Sequence, residues 1–358
     1  MRAITDWIRH HQITAFFLIT FGITFGLWFS FDAVMNQGKF FLAPFAFIAI
    51  CGPALAGIIV SAISNPQPRQ GRSSTPWIAF FVAWGVSLLV FLANNIFINN
   101  APLSTGMVVF TAVAVAPVAF VISTAYSRIP GVKRLMASLT RLRGVWGWAL
   151  LALVFVPGLA LLAALISSAI GRQPFSAHNF PETGPALVGL IAVTFLYQLF
   201  FFNATGEEAG WRGFALPNLQ SRTSPLIASL ILASFWGIWH FFAWQAEGKP
   251  VLDLGFWIET YVGLVPATLV IVWICNRAKG SILVVGITHA AANTAFAFLP
   301  NLDWPVYNLV VAVAALVMIL IDRMWQKLPS DHPAVVQLPG KEPIGTNFES
   351  AERKVSNA

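Results

Sequence analysis

Three places in this sequence set ionisable side chains at spacings that suit chemistry, each in apolar surroundings. The first is Thr205-Gly206-Glu207-Glu208-Ala209-Gly210-Trp211-Arg212. Adjacent carboxylates on a helix point about 100° apart, so Glu207 and Glu208 cannot share one task. Glu208 and Arg212 stand four apart with the acid first, the favourable order for an intrahelical ion pair. That pair neutralises both charges and leaves Glu207 on a separate stripe with Asn203 and Trp211. The spacing assigns Glu208 and Arg212 to structural support and Glu207 to chemistry. The second place is Phe235-Trp236-Gly237-Ile238-Trp239-His240, whose aromatic stripe Phe235, Trp236, Trp239 reads as packing. The third is His289-Ala290-Ala291-Ala292-Asn293, with His and Asn on one helix face. Blander readings stand beside these. Gly206 and Gly210 form a small-xxx-small motif for a tight helix crossing. His240 also suits a hydrogen-bonding strut, and His289 with Asn293 a tie between helices. Glu259 fits a strut or an interfacial residue.

The elements that must position these residues are membrane helices. The chain has 358 residues, 57% hydrophobic and 10% charged, with a mean hydropathy of +0.74. Soluble proteins carry roughly 25% charged residues, so a soluble enzyme and a disordered scaffold are both excluded. A span needs about 20 apolar residues. Ten runs qualify: Ile13–Met35, Phe40–Ile63, Trp77–Ile98, Met107–Thr124, Trp146–Ile170, Pro185–Gly206 or later, Pro225–Trp244, Leu254–Cys275, Ser281–Leu299 and Val306–Ile321. The first is too long for a signal-peptide core and reads as a retained span. Prolines at 44, 53, 117, 157 and 266 are expected to kink these helices rather than end them. Cys51 and Cys275 lie in separate apolar runs and define neither a disulfide framework nor a metal site.

Lysine and arginine mark the cytoplasmic loops. Eighteen of the 21 fall in the N-terminus, the even-numbered loops and the tail; Lys39, Arg172 and Lys249 are the others. Both termini are therefore expected in the cytoplasm. The net charge of +7 follows from this bias, and the basic stretch Arg128–Arg143 reads as a cytoplasmic loop rather than a nucleic-acid site. Residues 1–180 form an accessory helical region, 181–325 the motif-bearing core, and Gln326–Ala358 a disordered tail.

Ionisable groups at a span centre cost about 2.5–3.5 kcal/mol each on insertion scales. Before residue 180 the spans hold almost none, Asp32 at a span edge being the exception. Glu207 and His240 are equally far from the turn at 221–225, so an antiparallel pair sets them at one level. His289 lies eight residues past Ser281, about 12 Å deep. The three meet if the hairpin around Arg222 projects roughly 10–15 Å beyond the membrane, which favours ending the sixth span near Ala215.

The order Glu-Glu-x-x-x-Arg, aromatic-x-x-x-His, His-x-x-x-Asn resembles the CPBP family of intramembrane proteases (CAAX protease and bacteriocin-processing, or Abi). The motifs run from Glu207 to Asn293 within an all-α membrane core. One departure is Trp236, where the family usually has Phe. The resemblance implies peptide hydrolysis within the membrane, often described as metal-dependent, on a membrane-bound peptide such as a prenylated CaaX segment or a bacteriocin. Glu207 and His240 suit activation of a water, and His289 and Asn293 suit donation to an oxyanion. Glu207, His240 and His289 are also sufficient ligand types for zinc or another divalent metal, but they lack the His-Glu-x-x-His preset; water activated without metal fits them equally. A proton-coupled transporter or a non-catalytic scaffold would use the same buried Glu and His. No organelle-targeting feature is present, and a prokaryotic plasma membrane is the expected location.

Overall fold

The computed structural model describes residues 2–36, 47–65, 67–68, 71, 73–140, 142–175 and 183–336, without the side chains of 30–36 and 202–204. Lys39, Pro44, Arg141, residues 337–358 and the side chains of Asp32 and Asn203 thus lie outside the described residues.

Among the described residues every regular element is helical. In chain order they are α1 (Arg2–His10), α2 (Gln12–Asn36), α3 (Phe47–Ile50), α4 (Gly52–Ser64), α5 (Thr75–Phe97), α6 (Thr105–Ala114), α7 (Ala116–Ser123), α8 (Pro130–Met136), α9 (Trp146–Ala169) and α10 (Gly184–Tyr197). Two π-helical segments, Gln198–Glu208 and Trp211–Ala215, lead into α11 (Leu216–Gln220). Then follow α12 (Pro225–Trp239), α13 (Phe241–Ala246), α14 (Leu254–Arg277), α15 (Ile282–Phe298) and α16 (Trp304–Ile321). Side-chain oxygens start several of them. Ser224, Ser281 and Asp303 accept the N–H of Ile227, Val284 and Val306, which would otherwise lack a partner at a helix start.

All ten apolar runs carry helices. Seven helical stretches among the described residues are long and apolar enough to cross a membrane, and Gly52–Ser64, Pro225–Trp239 and Ile282–Phe298 are shorter. The chain is an all-helical, multi-pass membrane protein. Pro157 and Pro266 sit inside continuous helices as expected. Pro53 and Pro117 do not: each lies in the first turn of a helix, α4 and α7, where no N–H is needed. The continuous stretch Gly184–Gln220 has 37 residues, roughly 55 Å at helical rise, so the sixth span does continue past Gly206.

The inner layer consists of the π segments, α4, α12 and α15, with α9 and α14 packed on them. The small-xxx-small reading of Gly206 and Gly210 holds. A Cβ at Gly210 would lie 2.2 Å from the Pro53 carbonyl carbon, and one at Gly206 2.9 Å from the Ile50 oxygen. The residue-180 boundary, by contrast, is not one of packing. Helix α9 lies against α15 and α16, so the first half supplies part of the core wall. Across the far end of this wall, Asp303 accepts from Arg172 Nε at 2.6 Å and Ser167 Oγ at 2.9 Å. The Arg172 bond holds the Asp303 carboxyl below its ordinary range.

Residues 326–336, expected in the tail, are held to the fold. Leu226 N–H donates to the Met324 carbonyl at 2.9 Å, and Val336 N–H to Pro217 at 3.3 Å. Gln220 Nε2 donates to the buried Ala334 carbonyl at 2.8 Å while exchanging hydrogen bonds with Asn276. These bonds pin residues 324–336 to the hairpin that joins α11 to α12.

Candidate active site

The first motif lies where the long helical stretch Gly184–Gln220 widens. A π-helix bonds i to i+5 and recurs as short stretches at functional positions; here it spans Gln198–Glu208. Glu207 and Glu208 end that segment and diverge as expected. Glu208 is fully buried, and its Oε1 accepts from Arg212 Nη1 at 3.0 Å and pairs with His289 Nδ1 at 2.8 Å. The anticipated Glu208–Arg212 pair therefore forms, but as part of a three-residue group on two helices. His289 is thereby tied to Glu208, a contact that the spacing alone did not suggest.

Glu207 is 5% exposed, and its Oε2 accepts from the Trp236 indole Nε1–H at 2.6 Å. This is a correction to the packing role expected of Trp236. The side chain is buried and apolar, yet it bonds the carboxylate assigned to chemistry. His240 caps α12, and its Nδ1 lies 2.8 Å from the Trp236 carbonyl. A carbonyl only accepts, so Nδ1 carries the proton and the neutral ring presents Nε2 as its lone pair. The Trp236 ring lies 5.2 Å from the His240 ring and 5.4 Å from the His289 ring, both edge-on. Arg212 Cζ stands 4.8 Å over the same indole. Glu207, His240 and His289 are thus gathered around one side chain.

Asn293 lies one turn beyond His289, and its Nδ2 is 3.3 Å from Gln198 Oε1. Gln198 was missed in the sequence, although an amide within an apolar span was the available signal. Beside His289 and Asn293 is a cavity of about 80 Å³, largely apolar, whose wall includes Trp236, Tyr307 of α16, and Val156 and Leu159 of α9. Trp211, placed on the Glu207 stripe, instead packs against Phe16 of α2 and Trp239. Glu259 is exposed near the start of α14, in keeping with an interfacial position.

The imidazoles have the form that metal-bound histidines take, with Nδ1 committed to a second partner. The spacing does not follow: among the described residues no three His, Cys, Asp or Glu side chains are grouped closely enough to hold a metal ion. Glu207, His240 and His289 therefore do not make a three-donor set in this arrangement.

Comparison with known proteins covers this region. Residues 188–295 match the family described as type II CAAX prenyl endopeptidase Rce1-like. A CAAX prenyl protease 2 of Methanococcus maripaludis is 30% identical over 145 residues, 39% of this chain and 52% of that protein. The chain thus spans about half the length of the curated relative it matches. Both matches support the CPBP resemblance, and the family match spans the segment that holds all three motifs.

Proposed function

We propose that this protein is an intramembrane endopeptidase that hydrolyses a peptide bond in a membrane-associated substrate of the prenylated CaaX or bacteriocin type. The observation that carries the reading is the convergence of Glu207, His240 and His289 on Trp236, in a segment similar to CAAX prenyl proteases. In the proposed reaction, Glu207 and the His240 Nε2 lone pair orient a water and take one of its protons. The water oxygen bonds to the peptide carbonyl carbon, and the charge moves to the carbonyl oxygen. His289, whose Nδ1 faces Glu208, and Asn293 supply donors to the oxyanion. Collapse breaks the carbon–nitrogen bond, and the proton taken from water leaves on the amine. These steps use side chains and water alone.

By the same reading, the site lies on the cytoplasmic side of a prokaryotic plasma membrane, with both termini in the cytoplasm. The test uses detergent-purified protein and a mixed library of prenylated and unprenylated peptides, with products read by mass spectrometry. Glu207→Ala and a chelator-treated sample run beside it. Cleavage that Glu207→Ala abolishes supports the reading and reveals the substrate preference, while chelator sensitivity reports on metal dependence. Full cleavage by folded Glu207→Ala overturns the role of Glu207. Failure on both peptides and membrane-protein substrates favours a transporter or scaffold.

A further inference from the structure

Trp236 touches nearly every group in the site, and its contacts divide into two kinds. The ring packs: both imidazoles meet it edge-on and Arg212 covers it. The Nε1–H does something else. It makes the one side-chain hydrogen bond of Glu207 among the described residues, at 2.6 Å. A carboxylate on a free side chain turns readily, because its terminal torsion is broad and two-fold. Proton transfer from a water needs the accepting oxygen within about 2.6–3.2 Å and correctly directed. Glu207 is only 5% exposed, so little water can reach it to hold the carboxylate in one orientation. A donor to a charged acceptor is roughly twice as strong as one between neutral groups, and this donor sits on a ring fixed by three neighbours.

We infer that Trp236 is a positioning residue for hydrolysis, its indole N–H anchoring Glu207 Oε2 so that the other carboxylate oxygen faces the attacking water. The inference rests on the reading of Glu207 as the base. It separates shape from hydrogen bonding. The ring body keeps the two imidazoles apart, and any isosteric aromatic can do that. Only the N–H orients the carboxylate.

The experiment replaces Trp236 by site-specific incorporation of benzothienylalanine, which keeps the indole outline and puts sulfur in place of N–H. Trp236→Phe and Glu207→Ala are prepared alongside. On a peptide that the wild-type protein cuts, benzothienylalanine is expected to lower kcat tenfold or more, with KM and the unfolding midpoint unchanged. Trp236→Phe should follow it in kcat. A wild-type kcat with benzothienylalanine, or a loss that tracks a raised KM or a lowered midpoint, overturns the inference and assigns the ring to packing. The reading of Glu207 as the base fails separately, through a folded Glu207→Ala protein that still cuts. A readout free of substrate comes from the Trp236 indole N–H resonance in protein labelled with ¹⁵N-tryptophan. That resonance should shift on Glu207→Ala, and an unmoved signal also overturns the inference.

Discussion

Helix α5 runs 23 residues and buries Ala83, Ser87, Phe91 and Asn94, whereas α15 runs 17 residues and buries eleven of them. The first presents Trp77, Ile78, Phe81, Val82 and Leu89 outward, as a helix facing hydrocarbon must. Its length follows the bilayer, about 20 apolar residues for a crossing. The second faces protein on nearly every side, and its Gly286 and Ala290–Ala292 admit close neighbours. There the polar side chains find partners: His289 meets Glu208, and Thr288 and Thr294 bond backward to their own helix. The three shorter apolar helices, α4, α12 and α15, all contact the motif-bearing π segments, α15 most extensively. In this molecule lipid sets the outer helices by length and composition, and the inner ones are set by fit.

That contrast can be broken by substitution. Arg212→Leu should give the largest effect, because it strands Glu208 in a site with no solvent. Breaking a buried pair from one side costs about 3–5 kcal/mol, and thermal unfolding in detergent should show a large drop. A midpoint unchanged from wild type would mean that water reaches this pair. Next comes a matched pair of glycines. Gly210→Ala forces a methyl against the Pro53 backbone, and overpacking costs about 1–3 kcal/mol. Gly85→Ala, in α5 with nothing within 4 Å of the new carbon, should be neutral or stabilising by about 0.5–1 kcal/mol. Equal responses at the two positions would erase the inner–outer distinction.

The smallest effect concerns neither layer but the strap beneath the inner one. Burial holds His332 below the ordinary histidine range, with Asp331 opposing, and its Nδ1 accepts the Ala334 N–H at 3.1 Å. The neutral ring is the bonded form. Its contribution is complete above the unfolded value near 6.5 and fades as pH falls through and below it. The hydrogen-exchange protection of Ala334, measured against the intrinsic exchange rate at each pH, should therefore fall in mild acid and change little from pH 7 to 8. His332→Gln should flatten that dependence.

Much of this was legible in the sequence because the bilayer imposes composition. Each of the ten apolar runs carries a helix, and the expense of buried charge pointed to Glu207, His240 and His289. What escaped notice depends on orientation between helices. The Glu208–His289 bond needs the rotation of α15 against a π-helical turn, and spacing counted on an α-helix does not carry that rotation. Trp236 escaped because indole is an apolar residue with a single donor, so its type suggests packing until its neighbour is known. The strap at 324–336 has no apolar period, since backbone bonds and the buried Ala334 hold it.

The Glu208 bonds also carry a consequence in time. Arg212 follows Glu208 by four residues, His289 by 81, and the Ala334 carbonyl that pins the hairpin follows Gln220 by 114. As the chain emerges, the carboxylate meets a guanidinium within the same turn and can enter the membrane already neutralised. The imidazole arrives only with α15. Synthesis therefore completes the Glu208 group only when α15 has been made, and the bond from Gln220 to Ala334 forms later still.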